Sequence, residues 1–358
     1  MSLKIAIDGM GGDHAPSLIL EGLVLALQRN PSLHFYVFGQ QEILEPLLRE
    51  KPSLQEAVTL CDAPDVITAE TKPSQAVRGF KKSSMRLALE AVKEGTAQGV
   101  VSAGNTGAYM ALAKLILKTL PGINRPAIIT QIPTKRGESV FLDLGGNVDC
   151  EARDLAEFAL MGEMFARHVL HTPRPKVGLL NIGSESLKGP ETLRQTAQIL
   201  KTLPLDFQGF VEGNDITSGV VDVVVTDGFT GNVALKTIEG TVGLLMHVLK
   251  QGFANSLWGK LAFLVSRPIL RHLKFQLDPR KYNGAFWLGL NGVAVKSHGG
   301  ADALAFAYAI ETVVDILNSN LSSKIIKEIQ NPVIQDKLRE LSGKQTKLEG
   351  DSPHEPSL

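Results

Sequence analysis

Gly99-Val-Val-Ser-Ala-Gly-Asn-Thr-Gly-Ala108 is the stretch that decides the fold. Gly99–Ser102 is a short apolar run suited to a buried strand. AGNTGA is a loop of small polar residues, and a helical pattern follows over Gly107–Thr119. The same succession occurs at four more places: Leu3–Asp8 into GMGGDHAP, Val140–Asp143 into LGGNVDC, Val177–Asn181 into IGSESLKG, and Val221–Asp227 into GFTGNV. Apolar runs alternating with helical patterns predict an α/β fold built on buried, mostly parallel strands. In such a sheet each strand-to-helix loop lies at the carboxyl edge, where ligands bind. Small residues there let backbone N–H groups approach an anion, and the following helix adds its positive end. Five loops on one edge predict an enzyme that handles a phosphate-like anion.

The rest of the pattern agrees. Ser17–Arg29 reads as a helix entered near Pro16, Leu33–Gly39 as a strand followed by a helix to about Lys51, and Val58–Cys61 as a third short strand. Met85–Glu94, Ala152–Leu170, Pro190–Leu203, Asn232–Gln251, Gly300–Asn318 and Ser322–Leu341 read as helices. Residues 1–342 are expected to form one folded unit. The polar tail GKQTKLEGDSPHEPSL, 343–358, is expected to be disordered.

With 358 residues, 44% hydrophobic and 21% charged, the chain can bury a large core and has an ordinary globular composition. Lys+Arg and Asp+Glu balance at 37 each, so no global field favours nucleic acid. Cys61 and Cys150 form no CxxC pair and fit a reduced, cytoplasmic setting. The chain enters a strand at once, which predicts no leader. No uninterrupted apolar run reaches the length of about 18 residues that a spanning helix needs.

One segment departs from this balance. Residues 240–277 carry no acidic side chain, while Lys250, Lys260, Arg267, Arg271 and Lys274 give it +5. Apolar residues such as Trp258, Leu261 and Leu264 interleave with those charges. Gly252–Ser256 can turn one helix into another, and Pro268 is expected to kink or end the second. A basic amphipathic hairpin suits an anionic membrane surface, an acidic protein, or a dimer partner.

The chain lacks GxSxG, GxxxxGK[ST] and HExxH. Gly9-Met-Gly-Gly-Asp13-His14 puts His14 where a dinucleotide fingerprint needs glycine, and His168 and His171 lack metal-binding company. The positive signals are the loops. Gly104, Asn105, Thr106 and Gly107 offer N–H donors, an amide and a hydroxyl before a helix. Thr230, Gly231 and Asn232 repeat that chemistry after Asp227. Either loop alone is an ordinary capped turn; the pair points to a shared anion site. Lys188 and His298 are the candidate mobile charge and titrating group. Arg78, with Lys81, Lys82 and Arg86, either holds an anion or decorates a helix.

In these same residues the chain resembles the bacterial phosphate acyltransferases, the acyl-acyl carrier protein:phosphate acyltransferases. The matching motifs run in order: D-GMGGD-P (Asp8 to Pro16), KPSQAVR, SSMR, VSAGNTGA, DLGGNVDC, LLNIGSESLKG, TDGFTGNVALKT, YNGA and KSHG. Gly146 stands where alanine is expected. Phe286-Trp287 replace common aliphatic residues, as a candidate acyl-binding wall. The resemblance implies a three-layer α/β/α fold with two lobes around a cleft, similar to phosphotransacetylases and isopropylmalate dehydrogenases. It implies transfer of a long-chain acyl group from acyl carrier protein to inorganic phosphate, giving acyl phosphate for phosphatidic acid and phospholipid synthesis. No cofactor or metal is implied. A homodimer is, attached peripherally to the inner membrane face through the hairpin and supplying an acyl-phosphate:glycerol-3-phosphate acyltransferase.

The chemistry of that reaction suits these loops. Phosphate is largely dianionic near neutral pH, its relevant pKa lying near that of a phosphomonoester at about 6, and the leaving thiol has a pKa of about 8.5. The site must position phosphate and stabilise an oxyanion more than it must deprotonate a nucleophile. Lys188, His298 and Asp227 are the candidate catalytic residues. SAGNTGA and DGFTGN are the phosphate loops, and Asp8, Gly11, Gly12, Asp13, Arg78 and Asn147 are further cleft candidates. Two other readings stay open: a short-chain phosphotransacetylase using coenzyme A, and a non-catalytic scaffold at the membrane surface.

Overall fold

A computed structural model describes residues 2–338 except Ser256, and leaves out the side chains at 257, 272, 274 and 275. The 343–358 tail and the Lys274 side chain therefore lie outside the described residues.

The chain opens as β1 (Leu3–Asp8), α1 (Ser17–Arg29), β2 (Leu33–Gly39), α2 (Gln41–Arg49) and β3 (Val58–Asp62). The short helix α3 (Pro73–Arg78) precedes α4 (Ser84–Lys93), β4 (Gly99–Ser102) and α5 (Thr106–Leu117). The hairpin β5 (Ala127–Thr134) and β6 (Gly137–Leu142) leads to α6 (Ala152–His168), β7 (Lys176–Leu180), α7 (Glu191–Leu200), β8 (Asp206–Val211), α8 (Gly213–Ser218) and β9 (Val223–Val225). Two long helices follow, α9 (Gly228–Ala254) and α10 (Leu257–Gln276). Then come β10 (Ala285–Leu288), β11 (Val293–Lys296), α11 (Ala303–Ser319) and α12 (Leu321–Ile329).

All strands join one eleven-stranded sheet in the order β3-β2-β1-β4-β11-β10-β5-β6-β9-β7-β8. Side-chain alternation divides the core between its faces. Ile5, Ile7, Val101 and Val295 point to the layer containing α1, α6 and α11. Ala6, Val100, Ala294 and Val224 point to the layer containing α4, α5 and the start of α9. The fold is thus the expected three-layer α/β/α, with a mostly parallel sheet.

One expectation needs correction. The pairings β11·β10, β10·β5 and β5·β6 are antiparallel, and the others are parallel. Three reversals leave β6, β9, β7 and β8 running opposite to β1, β4 and β11. The five loops therefore do not share one edge: GMGGD and SAGNTGA leave from one end of the strands, and the other three from the opposite end. The reversing strands are short or polar, and strand direction is a property of pairing rather than of any one segment.

The basic segment forms the expected helical hairpin, with a different outline. Helix α9 begins at Gly228, and its 27 residues span about 40 Å. Its buried residues are Gly228 and Gly231, while Ala234, Leu235 and Ile238 pack partly on the core. Beyond Ile238 it pairs with α10, where Phe253 and Phe263 meet edge to face at 5.7 Å. Pro268 sits inside α10 without ending it. Leu261 and Leu264 are exposed, and Trp258 is 80% exposed; such a surface calls for a covering partner. Lys250, Lys260, Arg267 and Arg271 are also exposed. Among the described residues, no helix is long and apolar enough to cross a membrane.

Candidate active site

The first group of site residues gathers where β1, β4 and β11 end. Ile7 pairs with Val101, and Ser102 with Lys296, so Asp8, Ser102 and Lys296 share one rung on the α4–α5 face. Asp8 is 1% exposed. Its Oδ1 accepts the Ser84 hydroxyl at 2.6 Å and its Oδ2 the Ser102 hydroxyl at 2.6 Å. Ser102 Oγ in turn accepts the Gly104 N–H at 3.0 Å, which fixes the entry to SAGNTGA. Burial pushes the Asp8 carboxyl above its ordinary value, against the pull of those hydroxyls. Gly11 leans on Asp8 so closely that a Cβ would collide with the carboxylate. Gly12, at φ +111°, takes a conformation open to glycine.

Three loops converge here. Asp13 N–H donates to the Gly299 carbonyl at 2.9 Å, joining GMGGD to KSHGG. His298 is exposed, and its Nδ1 accepts the Gly300 N–H at 3.1 Å. Thr106 and Gly107 open α5, which Asn105 caps by accepting the Ala108 N–H at 3.0 Å. Asn105 does more than cap. Its Nδ2 faces the carbonyls of Thr68, Ala69 and Thr71 at 3.2, 2.8 and 3.0 Å. Its amide is thus engaged in holding the 68–71 segment, which leaves N–H groups and Thr106 as the anion donors of this loop. Arg78 stands apart, exposed at the end of α3, where with Ser74, Gln75 and Phe80 it lines an open groove of about 490 Å³.

The second group lies at the end of β6, β9 and β7. Asp143 accepts N–H groups from Ile128, Gly146 and Asn147 at 2.9, 3.0 and 2.7 Å, and Asn147 Nδ2 at 2.8 Å. Asn147 also donates Nδ2 to the Pro126 carbonyl at 2.8 Å, so it braces the loop and presents no free amide. Burial raises the Asp143 carboxyl while these donors oppose it. Asp227 caps α9 by accepting the Thr230 N–H at 2.8 Å and the Thr230 hydroxyl at 2.7 Å. Gly231 presses on the Asp143 carbonyl, whereas Thr230 and Asn232 are exposed. Lys188 is exposed on the loop after β7, whose shape Asn181 sets by donating to the Lys188 carbonyl at 3.0 Å.

The structure thus joins Asp8, Gly11, Gly12, Asp13, Gly104–Gly107 and His298 in one group. It joins Asn147, Asp227 and Thr230–Asn232 in another. No hydrogen bond among the described residues links the two.

Two functional candidates escaped the sequence reading. Lys296, 8% exposed, is a lysine at the end of the otherwise apolar strand VAVK, and that position was its signal. Burial pushes its ammonium down to about 8, with Asp8 and Asp13 opposing. Asn283, in YNGA, bridges to the KSHG loop at Ser297 and His298. Phe286 and Trp287, by contrast, are core: the first stacks on Phe165 and the second lies against Tyr109.

A family model described as fatty acid synthesis protein matches residues 3–324. A phosphate acyltransferase of Rhodospirillum rubrum is 52% identical over 330 residues, covering 92% of this chain and 95% of that relative. One from Paramagnetospirillum magneticum is 50% identical over 329 residues, 91% of this chain and 94% of the relative. The fold is similar to a phosphotransacetylase from Streptococcus pyogenes, with TM-score 0.60 at 18% identity, covering 88% of this chain and 94% of that one. A Staphylococcus aureus EutD phosphotransacetylase gives TM-score 0.58 at 15% identity over 88% and 94%. Conserved length and half-identical sequence, on a sheet whose strand ends carry this loop chemistry, make the chain a member of the phosphate acyltransferase family and an acyltransferase.

Proposed function

We propose that the chain transfers a long-chain fatty acyl group from acyl carrier protein to inorganic phosphate by direct attack of bound phosphate on the thioester. The observation that carries this reading is the convergence of GMGGD, SAGNTGA and KSHGG beside the N-terminus of α5. N–H groups of Asn105 to Gly107 and the Thr106 hydroxyl hold phosphate. Thr230, Gly231 and Asn232 form the opposite wall, with Lys188 neutralising charge, and the β11 loop assists the departing thiol. Sheet twist supports a common cleft. At about 20–25° per strand, the six steps from β1 to β9 rotate strand direction by about 120–150°, largely offsetting the reversal between them.

The product, acyl phosphate, is the donor for phosphatidic acid and phospholipid synthesis by an acyl-phosphate:glycerol-3-phosphate acyltransferase. The basic, apolar α9–α10 hairpin supports peripheral attachment to the inner face of the membrane and self-association as a homodimer. It also offers charge complementary to an acidic carrier protein. Sedimentation with anionic vesicles, comparing the unmodified protein with a Lys260, Arg267 and Arg271 to Glu variant, tests the membrane part. Failure of the unmodified protein to sediment would sink it.

The test of the reaction is release of carrier thiol from palmitoyl-acyl carrier protein with and without phosphate, with hydroxylamine trapping of acyl phosphate. Phosphate-dependent release is expected. Release from acetyl-coenzyme A alone would select the phosphotransacetylase reading, which the shared fold keeps in view. Acyl-protein trapped without phosphate would overturn direct attack. Membership in an acyltransferase family sets aside the scaffold reading.

A further inference from the structure

Lys296 has a chemical problem that the folded chain leaves unsolved. Its ammonium carries three N–H donors, and burial of such a charge is costly unless it is paired. One donor goes to the Ser297 carbonyl. Among the described residues the other two meet no acceptor, and no carboxylate lies within ion-pair distance. Asp8, one strand beyond Ser102 on the same rung, has its oxygens engaged by Ser84 and Ser102. Asp13 is exposed on the neighbouring loop. Nζ thus stands with two donors unmet at the strand end where GMGGD, SAGNTGA and KSHGG converge.

We propose that Lys296 is the proton carrier of the acyl transfer, giving its proton to the departing thiolate and recovering one from the phosphate hydroxyl. This rests on the acyl-transfer reading above. A phosphate oxygen forms the bond to the thioester carbon, and the carbon–sulfur bond breaks with its electron pair going to sulfur. The sulfur takes a proton from Nζ, and Nζ takes the proton that the attacking hydrogen phosphate loses. Thioester and hydrogen phosphate dianion thus give acyl phosphate dianion and free thiol, with Lys296 restored.

The surroundings suit the role. Buried from water, the ammonium attracts phosphate strongly and yields its proton to sulfur more readily than an exposed lysine would. Its value of about 8 lies beside that of a thiol, about 8.5, so the transfer is close to balanced. The titratable and charged groups around it are Asp8 on β1 and Asp13 on the following loop, Tyr109 of α5 against Asp8, and His298 on its own loop. The Asp302–Arg280 pair stands at the start of α11. His298, exposed on the same loop, is the rival proton donor.

The experiment compares the wild-type protein with Lys296→Met, Lys296→Arg and His298→Asn. Substrates are palmitoyl-acyl carrier protein, palmitoyl-pantetheine and a palmitoyl aryl thioester, whose thiolate leaves without help. We expect Lys296→Met to lower kcat by about 10²-fold or more on the alkyl thioesters and by less than about tenfold on the aryl one. Lys296→Arg keeps the charge, so the phosphate KM holds while kcat falls. The loss of kcat/KM above about pH 8 expected of the wild type should disappear. Equal losses on both kinds of thioester, an unchanged alkaline limb in Lys296→Arg, or a leaving-group-dependent loss only in His298→Asn would overturn the proposal. Circular dichroism checks folding, and Lys296→Arg carries the test if Lys296→Met does not fold. A wild-type protein that releases no thiol with phosphate sinks the acyl-transfer reading itself, before any variant is compared.

Discussion

Asn283 Oδ1 accepts the backbone N–H of His298 at 2.9 Å, across fifteen residues of chain. The other end of the same amide donates to Ser297 Oγ at 2.8 Å and to the Ala305 carbonyl at 2.7 Å. One side chain therefore sets the path of the KSHG loop. Asn283→Ala removes all three bonds and is expected to cost about 1–3 kcal/mol, read by urea unfolding. The phosphate KM should rise as the loop loosens, and steady-state kinetics with phosphate titration checks this. Unchanged kinetics in a destabilised protein would separate the loop from the chemistry.

Ser102 is both donor and acceptor between Asp8 and Gly104. In Ser102→Ala the buried Asp8 Oδ2 loses its hydroxyl and the Gly104 N–H loses its acceptor. A destabilisation of about 1–3 kcal/mol is expected, together with a fall in kcat. Denaturant midpoints and turnover at saturating phosphate test the two parts.

The glycines of α9 divide into two kinds. A Cβ at Gly231 would collide with the Asp143 carbonyl, which belongs to the backbone and cannot swing aside. Gly231→Ala should therefore cost more than about 3 kcal/mol or displace the first turn of α9. Gly243 faces open space, and Gly243→Ala should stabilise the helix by about 0.5–1 kcal/mol. Thermal melting of the two variants should move in opposite directions.

Lys296 makes stability depend on pH with a definite sign. Its folded value of about 8 lies below its ordinary 10.5. Below pH 8 both folded and unfolded chains carry the charge, and the folded one bears the burial cost. Between pH 8 and 10.5 the folded chain sheds the proton first, and that cost is relieved. Lys296→Met should thus be more stable than wild type near pH 7 by up to about 3 kcal/mol, the advantage vanishing by about pH 10.5. Urea unfolding at pH 7 and pH 10 measures it; a constant gap would mean the lysine is not desolvated.

Long apolar strands were legible in the sequence, and their limits moved by few residues: Val58–Cys61 became Val58–Asp62, and Val177–Asn181 became Lys176–Leu180. The strands β5, β8, β10 and β11 were not. AFWL and VAVK are four residues each, while AIITQIPT and DFQGFV contain proline or glycine and polar residues, so no clear period appears. The sheet reversal hides in those strands. The glycine-rich loops were legible as sites because their composition is local. That Asn105 and Asn147 brace backbone carbonyls was not, since their acceptors lie 34–37 and 21 residues away. Lys296 was present in KSHG but overshadowed by His298, because burial is not written in a four-residue motif.

The α9–α10 arm has consequences of a mechanical kind. One foot stands at Gly231, wedged on Asp143 in the block of strands running one way. The other follows the Pro279–Tyr282 turn to Asn283, which grips the loop of β11 in the block running the other way. The arm is therefore a strap joining the two blocks. Trp258, near the far end of the arm, is connected along the chain to both blocks, one through each helix. The same arm thus begins at the floor of DGFTGN and ends at the clamp on KSHG, so an exposed apolar tip and two site loops lie on one continuous stretch of chain.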